Sequence, residues 1–162
     1  YCNDMRVCEY LSWLPHKSEQ DTLMFLNACC LDKYDTGLTY KWAIVWKENN
    51  EVIGTMSIIT TPDENYDEID GKWLTNEKYA SIHRIAIKNT HHKKGIGVKM
   101  LLAAEKIVKA NNIYSIKIDT HKINIPMTKT IINSGYTYCG VITLKRSKED
   151  NLRDAYEKRL DN

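Results

Sequence analysis

The run Ile82-His83-Arg84-Ile85-Ala86-Ile87, followed by Lys88-Asn89-Thr90-His91-His92-Lys93-Lys94-Gly95-Ile96-Gly97, decides the fold of this chain. It reads as a buried strand, a short basic loop, and two glycines opening an amphipathic helix. The first backbone N–H groups of a helix have no intrahelical acceptor, and that end carries a partial positive charge. Glycine lets such backbone come close to a ligand, and two lysines and two histidines stand beside it here. A loop of this kind suits an anion, above all a phosphate or pyrophosphate.

Downstream, the spacing predicts a helix from Gly95 to Ala110 with Val98, Leu101, Leu102 and Val108 as its apolar face and Lys99, Lys106 and Lys109 off it. Tyr114 to Asp119 alternates Ile116 and Ile118 with polar residues, the pattern of a strand. A helix links it to strand 81–87, so the two should run parallel in a right-handed crossover. Asn124 is placed to cap a helix that carries Pro126 in its first turn and stops at Gly135. Tyr136 to Leu144 is a further strand, and Arg153 to Leu160 fits a last strand or a terminal helix.

Upstream, Tyr40–Trp46 and Val52–Thr60 are rich in aromatic and β-branched residues and predict an antiparallel hairpin across Lys47-Glu48-Asn49-Asn50. Ser18 and Asp21 stand in capping-box positions before a helix expected over 19–35, with Leu23, Leu26, Cys30 and Leu31 at helical spacing. Val7, Tyr10, Leu11, Trp13 and Leu14 add apolar mass ahead of Pro15. The stretch 62–79, with Pro62, Asp63, Glu64, Asp67, Glu68, Asp70 and Gly71, reads as solvated acidic surface, or else as a lid or a site for a cation. The whole is a mixed α/β chain expected to form one domain over residues 1–162, without repeats or linkers.

A net charge of +2 is too small for a general nucleic-acid binder, and the basic character is confined to 88–94. No apolar run approaches the ~20 residues of a membrane span. Five cysteines, Cys2, Cys8, Cys29, Cys30 and Cys139, form no CxxC pair, which points to reduced thiols and a cytoplasmic protein. No signal peptide is visible, and a chain beginning at Tyr1 is expected to have lost its true start. His91, His92 and His121 lack acidic or cysteine companions at ligand spacing, so no metal is expected. Cys139, between Tyr138 and Val141, reads as a packed thiol rather than a nucleophile. Trp13, Trp42, Trp46 and Trp73 read as core or slot walls rather than a platform for bases.

With these residues in order, the chain resembles the GNAT superfamily of acyl-CoA-dependent N-acetyltransferases. The family signature is Arg or Gln, two free positions, Gly, one free position, then Gly or Ala, at a strand–helix junction. His92-Lys93-Lys94-Gly95-Ile96-Gly97 corresponds to it, preceded by Arg84-Ile85-Ala86-Ile87. Asp119-Thr120-His121-Lys122-Ile123-Asn124 with Gly135-Tyr136 resembles the second region, as in small bacterial members. The likeness is strong over about 72–145, extends to Leu160, and is looser over 1–60. There Tyr10-Leu11-Ser12-Trp13 and Trp42-Ala43-Ile44-Val45 are similar to the branch that acetylates ribosomal-protein N-termini.

The resemblance implies a central mixed, mostly antiparallel sheet flanked by helices and splayed between its two parallel strands. It implies acetyl-CoA as co-substrate, with the pantetheine arm in that splay along the backbone of Ile85, Ala86 and Ile87. The pyrophosphate would lie on His92, Lys93, Lys94, Gly95, Ile96, Gly97 and Val98, with Asn124 as a further contact. The partner it implies is an amine of unspecified identity, and relatives pair through sheet edges, so a homodimer is possible. Two positions depart from the pattern. His92 stands where the family has Arg or Gln, and Ile131 where many members carry a tyrosine that protonates the leaving thiolate. Because a thiolate is a weak base, it can leave without a dedicated acid.

His83 shares a face with Ile85 and Ile87 by period-two counting and is the candidate general base, since an unperturbed imidazole titrates near neutrality. A structural histidine in a half-buried strand is the alternative. A non-catalytic acyl-CoA sensor on the same fold and an RNA-binding α/β domain are the competing functions. The second would need a salt-sensitive basic surface, which the charge balance does not supply.

Overall fold

The computed structural model of the protein describes residues 15–29, 39–145 and 150–161. Its elements are α1 (Glu19–Cys29), β1 (Thr39–Trp46), β2 (Glu51–Ile59), a two-residue β3 (Asp70–Gly71), β4 (Ala80–Ile87), α2 (Ile96–Ala110), β5 (Ser115–Thr120), α3 (Ile125–Asn133), β6 (Thr137–Thr143) and β7 (Leu152–Arg159). Short 3-10 turns lie at Glu64–Tyr66 and Asn89–His91. One seven-stranded sheet runs in the order β1-β2-β4-β5-β7-β6-β3. Among these described strands only β4 and β5 run parallel, as a helical crossover between them requires.

Local chemistry accounts for the helix ends. At α1, Asp21 N–H donates to Ser18 Oγ (3.1 Å) while Ser18 N–H donates to Asp21 Oδ2 (3.0 Å), a reciprocal capping box. The part of the 19–35 helix beyond Cys29 lies outside the described residues, as do Val7, Tyr10, Leu11, Trp13 and Leu14. Asn124 Oδ1 accepts from Met127 N–H at 3.2 Å to open α3, and Gly135, at φ +82°, ends it.

The main core lies between the sheet and helices α2 and α3, with Ile53, Met56, Ile58, Ile82, Leu101, Val108, Ile116, Ile118 and Ile131 buried in it. Leu102, assigned by periodicity to the apolar face of α2, is 44% exposed. The face is instead made by Met100, Leu101, Ala104 and Val108, one step round the helix.

The other side of the sheet is covered too. Tyr66, Ile142 and Ala155 are buried there, with Ile69, Trp73, Tyr79 and Leu144 packed on them. In the 62–79 stretch Glu64, Asp67, Glu68 and Asp70 are exposed, as a solvated surface requires, but the aromatic residues fold it onto the sheet, and Tyr66 is only 3% exposed. Three aromatic rings in a polar stretch provide the apolar area that draws it down. Strand β5 is consequently buried on both faces, including Ser115 and Lys117. The last segment is a strand, not a helix, because β7 fills the place between β5 and β6.

Candidate active site

The site begins where two parallel strands part. Strands β4 and β5 pair only through Ala80–Ile116, Ser81–Lys117 and Ile82–Ile118. Beyond Ile82, β4 runs on to Ile87 and β5 to Thr120 without pairing to each other. A wedge opens there, lined on the β4 side by a strand edge whose polar backbone groups face no neighbouring strand. Such an edge is a ready partner for an extended ligand.

A bulge in β4 shapes the wedge. Ser57 faces His83 but Thr55 faces Ala86, so Met56 stands opposite two residues. Arg84 takes the extra position at φ +56°, and its guanidinium lies 5.5 Å above the Phe25 ring of α1. Bulges bend a strand and break its alternation. Ala80 and Ile82 face the helices, and past the bulge so do Ile85 and Ile87. His83 therefore does not share a face with Ile85 and Ile87, as period-two counting had it. It points to the opposite side of the sheet, among Asp63, Tyr66 and Asp119.

The wedge leads to the start of α2. Gly95 caps that helix in the left-handed conformation, at φ +70°, with no side-chain cap. A Cβ built on Gly95 would meet nothing within 4 Å, so the helix end is open to a ligand. Gly97 is small for a different reason. A Cβ there would come 2.9 Å from Thr130 Cγ2, so the missing side chain lets α2 and α3 close on each other. Ile96 and Gly97 are buried and Val98 is half-buried, and their backbone N–H groups belong to the unpaired first turn.

The basic side chains divide into anchors and exposed charge. Lys88 pairs with Glu51. His91 is buried, 5.2 Å from the Trp46 ring, and shares a 2.9 Å hydrogen bond with Thr90. His92 Nε2 donates to the Ile87 carbonyl at 2.8 Å, fastening the loop to the end of β4. That ring nitrogen is thus engaged with protein backbone. Lys93 and Lys94 are exposed, with Lys94 Nζ 5.6 Å over the Trp46 ring. Asn124 is half-buried with Oδ1 committed to capping α3. Ile131 is fully buried in the core, where its side chain has no proton to give.

On the other face, His83 Nε2 is shut off from solvent and makes no well-aligned hydrogen bond; the acceptor beside it is Asp63 Oδ2, 3.1 Å away. Its Nδ1 lies 3.9 Å from Asp119 Oδ1, which accepts a 2.7 Å hydrogen bond from Tyr66 hydroxyl. Asp63 is held in place from several directions. Its N–H donates to Tyr79 hydroxyl (3.0 Å), and its Oδ1 accepts from the N–H and side-chain amide of Asn65 (2.9 and 2.7 Å). Burial pushes the Asp63 carboxyl up, but the bonds and charge from His83 and Asn65 outweigh it and hold it down at about 2. Burial, with Asp119 beside it, pushes the Tyr66 phenol well above its usual range, so it stays a hydrogen-bond donor.

Next to this group, the Lys117 ammonium sits between two rings, 4.1 Å from the centre of Trp73 and 4.0 Å from that of Tyr79. Burial lowers its affinity for a proton and Glu157 partly restores it. Glu157 is fully buried and accepts from Leu74 N–H (2.6 Å), Thr75 N–H (3.3 Å), Thr75 hydroxyl (2.7 Å) and Ser115 hydroxyl (2.6 Å). It ties the 62–79 stretch to β7 and β5. Sequence reasoning missed Asp63, Tyr66, Asp119, Lys117 and Glu157 as members of one face. The available signals were the rings of Tyr66, Trp73 and Tyr79 inside an acidic stretch, and Asp63-Glu64-Asn65 as a turn motif.

Cys139 is buried, its thiol pushed up by burial and Glu157. His121 Nδ1 accepts from Ile123 N–H (3.2 Å), so its Nε2 carries the proton donated to Asp150 (2.8 Å). Among the described residues no group of three or more metal-ligating side chains comes together, and no helix is long and apolar enough to cross a membrane.

This architecture has many counterparts. An acetyltransferase of the GNAT family from Streptococcus agalactiae 2603 is 25% identical, with TM-score 0.67 over 91% of this chain and 75% of its own. The aminoglycoside acetyltransferase AAC(6')-Ib, solved with ribostamycin and coenzyme A, is 15% identical, with TM-score 0.72 over 98% and 84%. Spermidine N-acetyltransferase from Vibrio cholerae, solved with CoA and spermine, is also 15% identical, with TM-score 0.67 over 96% and 82%. At that identity the last two establish the fold alone. Among curated proteins, no sequence matches this chain. The acetyltransferase (GNAT) family profile matches residues 4–131, most of the chain, and with the splayed parallel pair and glycine-opened helix beside it, the chain belongs to the GNAT acetyltransferase family.

Proposed function

We propose that the protein transfers an acetyl group from acetyl-CoA to a primary amine of a small molecule, peptide or protein. The observation that carries this reading is the wedge between β4 and β5, which ends at a helix start left open over Gly95. In this reading the first-turn N–H groups of α2, with Lys93 and Lys94, hold the pyrophosphate. The pantetheine arm pairs with the edge of β4 at Ile85, Ala86 and Ile87, whose carbonyl also accepts from His92, and Asn124 borders it. The Nε2 of His92 is taken up by Ile87, so its part is to shape the loop rather than to bind through that nitrogen.

The amine enters from the His83 face. As an ammonium it is drawn toward the carboxylates of Asp63 and Asp119, and His83 takes one proton from it. The freed lone pair attacks the thioester carbonyl carbon, forming the C–N bond while the carbonyl electron pair moves to oxygen. Backbone N–H groups near Ile87 stabilise that oxyanion. Collapse breaks the C–S bond, the thiolate takes the remaining extra proton from nitrogen, and His83 returns its proton to water. The products are the amide, free CoA and one proton.

Titration calorimetry with acetyl-CoA is the first test: binding is expected well below ~1 mM, and none at that ceiling overturns the reading. His83→Ala should then lower kcat by about 100-fold or more with little change in acetyl-CoA affinity. The buried, apolar Ile131 favours one second reading, an acyl-CoA sensor on this fold. It predicts binding without thiol release over a broad amine panel, and turnover with any amine refutes it.

A further inference from the structure

We propose that Asp63 is the positioning residue for His83: it holds the ring as the Nε2–H tautomer and leaves the Nδ1 lone pair, on the side of Asp119 and Tyr66, as the proton acceptor. This rests on the reaction proposed above. A neutral imidazole has one nitrogen that donates and one that accepts, and the neighbour of one nitrogen decides the role of the other. An ionised carboxylate can only accept, so the nitrogen facing it carries the hydrogen.

Two carboxylates compete for that choice, and the geometry separates them. Asp63 Oδ2 is 3.1 Å from Nε2, while Asp119 Oδ1 is 3.9 Å from Nδ1 and already receives the Tyr66 hydroxyl. The Oδ1 of Asp63 is committed to Asn65 and its backbone to Tyr79, so Oδ2 is held toward the ring. Nε2 is closed to solvent and faces a carboxylate that stays ionised down to about pH 2, whereas Nδ1 stands 3.9 Å from an Asp119 oxygen that the Tyr66 hydroxyl already occupies. The groups facing His83 are Asp63 and Tyr66 from the 62–79 stretch and Asp119 from β5. Lys117 is near but is engaged by Trp73 and Tyr79.

The proton path follows from this arrangement. Nδ1 takes the proton of the incoming ammonium, giving an imidazolium whose Nε2–H stays on Asp63 and whose new Nδ1–H faces Asp119. After product leaves, Nδ1 gives that proton to water. Asp63 itself is never protonated. It lies 20 positions before His83, in a stretch whose sequence suggests only acidic surface.

Nitrogen-15 NMR of the histidines, with His83→Gln to assign the signal, tests the tautomer directly and needs no turnover. The wild-type ring is expected as Nε2–H at alkaline pH, and Asp63→Asn and Asp63→Ala are expected to move it toward Nδ1–H. In steady state, both variants should lose about 100-fold or more in kcat with acetyl-CoA affinity within about twofold, and the acidic limb of the pH profile, where the base becomes protonated, should shift. Asp63→Glu should recover part of the rate. A wild-type Nδ1–H tautomer overturns the proposal, and so does a rate loss with tautomer and pH profile unchanged. If no amine is ever acetylated, the reaction fails, yet the tautomer measurement still decides the role of Asp63.

Discussion

The two ends of the wedge are built in opposite ways. At the helix end, the groups proposed to hold the pyrophosphate come from one contiguous run, Ile87 to Val98, and their geometry follows from one strand end, one 3-10 turn and one helix start. At the end proposed to receive the amine, Asp63, Tyr66, His83 and Asp119 come from a loop and two strands, with Tyr66 and Asp119 53 positions apart. The first is set mainly by neighbours along the chain. The second exists only while the 62–79 stretch stays folded on the sheet, and the buried Glu157 holds it there.

That contrast can be broken. The largest effect is expected from Glu157→Ala, which strands the N–H groups of Leu74 and Thr75 and the hydroxyl of Ser115. It should cost about 3 kcal/mol or more in urea unfolding. Molecules that remain folded should lose amine turnover before acetyl-CoA binding. Parallel loss of both would show that the two ends are not independent.

Acid should weaken the amine end first. The folded-state value of Asp63, about 2, lies below the ordinary aspartate value. Its contribution is therefore complete above about pH 4 and is lost as pH falls through about 2. The difference between wild type and Asp63→Asn in urea unfolding should shrink over that window, by about 2 kcal/mol at most. A difference constant with pH would remove the His83–Asp63 pair as a source of stability.

The helix end is probed by its two glycines, which should respond differently. Gly97→Ala drives a methyl group into Thr130 and is expected to cost about 1–3 kcal/mol, much of it recovered when Thr130→Ala is added. Gly95→Ala places a side chain at φ +70° in open space, so it should cost about 1 kcal/mol from backbone strain alone. Thr130→Ala should not relieve it. A double-mutant cycle by chemical denaturation checks both, and coupling at Gly95 would overturn the distinction.

The sequence by itself determined what depends on neighbours along the chain. The Ser18–Asp21 box, the Asn124 cap, the Gly135 stop, the β1–β2 hairpin and the strand–loop–helix run are each set by a few adjacent side chains. The parallel pairing of β4 and β5 follows from the helix between them. Tertiary structure decided the rest. The bulge at Arg84 turned His83 away from Ile85 and Ile87, because one extra residue reverses every later face of a strand. Burial of Tyr66 and the pairing of β7 converted an apparent surface loop and an ambiguous tail into one wall of the site. Which face a residue serves depends on what covers it, and the covering groups here come from distant parts of the chain.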